Sequence, residues 1–65
     1  MNVIINGEKR ELQLETLKDV IEHFHLDENL VVTEVNGEIV DCEERANTLL
    51  QEGMRIEIVQ FVGGG

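Results

Sequence analysis

Two Asn-Gly dipeptides constrain this chain more than any other feature. Asn6-Gly7 and Asn36-Gly37 each stand between short apolar runs. Asn-Gly supplies the two positive-φ positions of a type I′ turn, whose twist matches that of the strands it joins. The first pair predicts a hairpin over residues 2–14. "NVIIN" (residues 2–6) is β-branched and apolar, and "EKRELQL" (Glu8–Leu14) sets Leu12 and Leu14 among polar neighbours, as in a half-exposed strand. The second pair turns "LVVTEV" (Leu30–Val35) into "EIV" (residues 38–40).

Between the hairpins the period changes from two to 3.6. In "TLKDVIEHF" (residues 16–24), Leu17, Val20, Ile21 and Phe24 fall at i, i+3, i+4 and i+7, one face of an amphipathic helix. Thr16 stands at the N-cap, with Asp19 three residues on in the capping-box position. Asp19 lies near the positive helix N-terminus and His23 near its negative end. "HLDENL" (residues 25–30) is a loop, and "DCEERANTLLQEG" (residues 41–53) has no strand period. In that stretch Leu49-Leu50 is expected to plug one end of the core and Gln51-Glu52-Gly53 to turn. "MRIEIVQFV" (residues 54–62) is the last strand.

One helix against one sheet leaves a sheet face open. Ile56 and Ile58 alternate with Arg55 and Glu57, so the even positions of the last strand face the helix. The expected core is Val3, Ile5, Leu17, Val20, Ile21, Phe24, Ile56 and Ile58. The first and last strands are expected to be parallel neighbours. Val59 and Phe61 then face outward, and Ile4 does the same on the first strand. Together they predict an apolar patch on the open face, leading to the last residues. A cluster of this kind marks a docking surface. Ile4, Val59, Phe61 and Val62 are the candidate docking residues.

Charge and single-residue counts narrow the function. Fourteen acids against 5 bases give a formal charge of −9. That opposes a nucleic-acid partner, which needs a basic footprint, and an anionic membrane surface. It suits a basic protein partner. A single cysteine, Cys42, allows no internal disulfide and fits a reducing cytoplasm. His23 and His25 are two apart, on different sides of a helix, so with Cys42 they make no metal-ligand spacing. No apolar run is long enough for a membrane span, and Met1-Asn2-Val3 does not begin a signal peptide. No nucleophile–base set, phosphate loop or dinucleotide fingerprint is present. The chain is therefore not expected to be an enzyme itself, and no metal or bound cofactor is expected.

The sequence ends "VQFVGGG". Glycine loses the most entropy on ordering, so a triple glycine behind a strand is either an idle end or a functional one. Residues without Cβ atoms can lie extended in a narrow channel where side chains would clash. The reactive group such an end offers is its α-carboxylate, which becomes an acyl donor once adenylated with ATP. A plain interaction module, docking by its open face with an inert tail, is the competing reading.

Four stretches, "INGE" (residues 5–8), "TLKDVIEHF", "VNGEIV" (residues 35–40) and "IEIVQFVGGG" (residues 56–65), resemble the β-grasp, ubiquitin-like proteins, and more narrowly the ThiS family of sulfur carriers. The resemblance covers the whole chain, and the ending is its specific part. It implies an α+β fold: a mixed sheet of four to five strands with one main helix on one face. Residues 1–62 would form the domain and 63–65 a flexible tail. It implies that Gly65, at the end of the Gly63–Gly64 tether, is adenylated and converted to a thiocarboxylate. The sulfur then goes to a ThiG-like thiazole synthase in thiamine biosynthesis. The implied partners are a ThiF-like adenylyltransferase that uses ATP and a sulfur donor such as a cysteine desulfurase. The free protein would be a cytoplasmic monomer. The small subunit of molybdopterin synthase and the carriers for tRNA thiolation are similar in fold and tail, but longer.

Overall fold

The computed structural model describes residues 1–61. Five strands form one sheet: β1 (Asn2–Ile5), β2 (Glu8–Glu11), β3 (Val31–Val35), β4 (Glu38–Val40) and β5 (Arg55–Gln60). Their spatial order is β2-β1-β5-β3-β4. The two hairpins lie on either side of β5, which is parallel to β1 and antiparallel to β3. One helix, α1 (Leu17–His23), covers one face.

Both Asn-Gly turns form as their chemistry requires, with Asn6 and Asn36 at φ +50° and Gly7 and Gly37 at +82° and +89°. Each turn also binds the central strand. Asn6 donates its N–H to the Ile56 carbonyl at 2.9 Å. Its side-chain amide then accepts from Ile58 N–H at 2.8 Å and donates to the Ile58 carbonyl at 3.1 Å. The amide so stands in for one more residue of β1. Asn36 repeats the device on the other edge, its N–H bonding the Arg55 carbonyl and its Oδ1 accepting from Arg55 N–H.

The helix is short because both ends are fixed. The Thr16 hydroxyl accepts from Asp19 N–H, and the Asp19 carboxylate accepts from the backbone N–H groups of Thr16 and Glu15. At the far end His25 takes φ +56°. Leu26 N–H then reaches back to the Ile21 carbonyl and His25 N–H to that of Glu22, a six-to-one and five-to-two pair that stops the helix.

The core is aliphatic: Val3, Ile5, Leu12, Leu17, Val20, Leu50, Met54 and Ile56 form one cluster. Four expectations change. Phe24 and Ile58 are half-buried rather than central. Phe24 is the C-cap, so its ring lies over the exposed β2, where the Arg10 guanidinium sits 5.2 Å from the ring centroid. Ile58 lies opposite Thr33 on β3, and the Asn6 amide, not β1, flanks it on the other side. The second strand ends at Glu11, its last partner on β1, and Leu12 turns into the core. Of the Leu49-Leu50 pair only Leu50 plugs the core; Leu49 is 63% exposed. Thr16 and Leu49 form a bridge there, and successive extended residues point to opposite sides. Residues Cys42–Asn47 form a 3-10 helix that periodicity did not indicate.

The Asp19 carboxyl is held below the ordinary aspartate value of 3.8, chiefly by the Thr16 backbone N–H and next by that of Glu15. The ionised form is therefore favoured by folding. Its contribution is complete above the unfolded value and is lost as pH falls through the folded one. Glu52, which accepts from Asn2 N–H at 2.9 Å, is lowered in the same way. Asp19→Asn should melt below the parent at pH 7, and the gap should close as pH falls below about 4. Thermal melts by circular dichroism across that range decide it; a gap independent of pH would show that the charge plays no part.

Candidate functional site

The described residues include no group of three His, Cys, Asp or Glu placed to hold a metal. His23, His25 and Cys42 are exposed, and the thiol is free. Among the described residues no helix is long and apolar enough to cross a membrane. What the fold does build is an exit point. β5 is the central strand, and its far end leads to the glycines. Phe61 N–H donates to the Leu30 carbonyl at 2.7 Å, one residue beyond the β3–β5 ladder. Candidate residues Val62, Gly63, Gly64 and Gly65 lie outside the described residues.

The open face carries a graded surface. Register places Ile4 beside Lys9 on one neighbour and Arg55 on the other. Next along the face, Glu57 lies directly opposite Glu34, which lies opposite Ile39. Then Val59 faces Val32. Val59, Phe61 and Ile39 are 52%, 55% and 69% exposed. So the candidate docking residues do not form one patch. Ile4 is half-buried, and it lies about 13 Å along the sheet from Val59, four strand residues away. Arg55 and Glu57 come between them. Val59 and Phe61 instead share their end of the face with Val32 and Ile39. Sequence reading missed those two because the alternation of β3 and β4 does not reveal which face their odd or even positions take.

A helix face of Leu17, Val20 and Ile21 on a five-stranded mixed sheet, with two hairpins flanking the central strand: this is a β-grasp domain of the ubiquitin-like kind. Within that class the chain belongs to the ThiS family, whose model matches residues 3–65. It is similar to a thiazole synthase of Paramagnetospirillum magneticum, 35% identical over 66 residues that cover the whole chain. The chain spans 20% of that protein's length. It is 38% identical over 50 residues to the sulfur carrier protein ThiS of Bacillus subtilis, covering 77% of this chain and 76% of that one. Its fold matches the crystal structure of the thiamine biosynthesis protein ThiS from Geobacter metallireducens, with TM-score 0.80, 26% identity and full coverage of both chains. The solution structure of a thiamine biosynthesis protein from the same organism gives TM-score 0.81 at 25% identity, over all of this chain and 88% of that one.

Proposed function

We propose that this chain is a sulfur carrier for thiazole formation in thiamine biosynthesis, acting as co-substrate rather than enzyme. The observation that carries the reading is the family match, which runs through the glycines to Gly65. The thiazole synthase relative, which contains a stretch similar to this whole chain, supports thiazole synthase as the receiver of the sulfur.

In this reading a carboxylate oxygen of Gly65 attacks the α-phosphorus of ATP on a ThiF-like adenylyltransferase. Pyrophosphate leaves, and the carbonyl carbon now carries AMP as leaving group. The terminal sulfur of a persulfide carried by a donor such as a cysteine desulfurase attacks that carbon, and AMP departs with the electrons of the C–O bond. A thiol then attacks the donor's sulfur in the resulting acyl disulfide, leaves with it as a disulfide and releases the acyl sulfur. The product is a thiocarboxylate. The chain's own contribution is presentation. Four residues follow Phe61 and span at most about 14 Å when extended. The partner must therefore hold the domain close to its ATP. The exposed end of the sheet face at Val59, Phe61, Val32 and Ile39 adjoins the exit and suits that contact. Glu34 and Glu57 beside it favour a basic counterpart, because like charges directly opposite in a sheet are relieved by a cation.

Intact mass tests the reading. The protein is incubated with the adenylyltransferase, ATP and a sulfur donor, then weighed. Replacement of one oxygen by one sulfur at the C-terminal residue supports the carrier. An unchanged mass, with the domain still binding the enzyme, favours the docking module.

A further inference from the structure

Arg45 is one of only 5 basic side chains in a chain with 14 acids, and it is buried to 4% exposure. Among the described residues no carboxylate lies within ion-pair distance of it. Its guanidinium is satisfied by neutral acceptors instead. Nε donates to Thr33 Oγ1 at 3.1 Å, Nη1 to the Glu28 carbonyl at 2.9 Å, and Nη2 to the Val31 carbonyl at 2.8 Å. The Thr33 hydroxyl in turn donates a hydrogen bond to the Val40 carbonyl at 2.8 Å. A buried cation carries a desolvation cost, and its removal leaves three acceptors without this donor, so stability alone is not what singles the residue out. What a rigid, planar fork does supply is geometry.

That geometry has one target. Glu28 and Val31 bracket Leu30, and the Leu30 carbonyl accepts the Phe61 N–H. Leu30 N–H is tied back to the Asp27 carbonyl, so the whole turn is fixed from inside the domain. We propose that Arg45 is a positioning residue for tail chemistry: by holding the Glu28–Val31 turn it fixes the point and direction from which the chain leaves the sheet toward Gly65. The proposal rests on the sulfur-carrier reading. No group on Arg45 touches the reacting carboxyl; it acts through the Leu30–Phe61 bond. The Leu30–Phe61 bond sets where the tether begins, and at a positioned reaction a misplacement of about 1 Å can cost on the order of a hundredfold in rate.

The test compares Arg45→Met, Arg45→Lys and Leu50→Ala. Leu50 is buried in the core and its N–H bonds Glu15, so its truncation destabilises the domain without touching the turn. Two quantities are read at a temperature where all three are folded: amide hydrogen exchange at Phe61, and kcat against KM for ATP-dependent adenylation. Arg45→Met is expected to speed Phe61 exchange selectively and to lower kcat roughly tenfold or more with KM little changed. Arg45→Lys, which keeps charge but loses the fork, should lie between. Leu50→Ala should spread its effect over the core amides and leave kcat near the parent. Normal adenylation of Arg45→Met, or equal losses of kcat in Arg45→Met and Leu50→Ala, would overturn the proposal while leaving the carrier reading intact. A parent chain that is never adenylated would overturn both.

Discussion

Ile56→Ala is expected to lose about 2–5 kcal/mol, the range for deleting a buried aliphatic side chain and leaving its cavity. Ile56 is completely buried, on the central strand, with Ile5 opposite it on β1 and Val35 opposite it on β3. It is therefore packed by both hairpins at once, and neither can collapse into the gap without giving up its register. A domain of this size has a total stability of only about 3–10 kcal/mol. Much of the Ile56→Ala protein should be unfolded at 37 °C. Phe24→Ala should cost less than the roughly 3–5 kcal/mol of a fully buried phenylalanine, because the ring is half-exposed and part of its contact is the Arg10 guanidinium. Urea unfolding of the two variants side by side checks the order. If Phe24→Ala proved the more damaging, the helix C-terminus rather than β5 would be the centre of the core.

The reasons for that ranking also explain what could be read in advance. Asn6-Gly7 and Asn36-Gly37 announced the hairpins because positive φ at two successive residues is a local requirement with few solutions. The stripe Leu17, Val20 and Ile21 announced the helix, and Thr16 with Asp19 its start, since spacing and capping are also local. The parallel pairing of β1 and β5 followed from the need to bury the aliphatic strands centrally. What failed was non-local. Ile4 and Val59 were placed on the correct face but thought adjacent. Their separation is set by the Ile4–Arg55 register, which no periodicity encodes. Phe24 satisfied the helical spacing, yet its burial depended on what β2 offered beneath it, and β2 is exposed throughout. Arg45 gave no signal, because a lone arginine in a polar stretch looks solvated until the carbonyls of Glu28 and Val31 are seen to surround it. The family was the most legible part of the function, since the motifs that carry the resemblance run along the whole chain and the family model matches residues 3–65.

Adding one residue after Gly65 is expected to abolish adenylation while leaving binding nearly intact. The proposed chemistry occurs at one carbonyl carbon, and the tether that carries it starts from a fixed hydrogen bond between Phe61 and Leu30. An extra residue moves the carboxylate by about 3.3–3.6 Å, the span of one extended residue. That exceeds the roughly 1 Å error already costly to a positioned reaction, so losses of a hundredfold or more in kcat are expected. Phe61→Ala should behave oppositely. It removes an exposed aromatic beside Val59 at the proposed docking end of the sheet, and such an anchor can be worth about 2 kcal/mol or more in affinity. Its KM should rise while kcat at saturation is largely kept. Gly64→Val should bind and fail to react, because a branched side chain cannot follow glycine through a narrow channel. Titration calorimetry against the adenylyltransferase, with pyrophosphate release followed in parallel, separates the three. Normal pyrophosphate release from the extended protein would mean that the reaction does not depend on where the Gly65 carboxylate is placed. Binding of the parent chain with no pyrophosphate release would instead leave the open face, with Val59, Phe61, Val32 and Ile39, as the whole of the function.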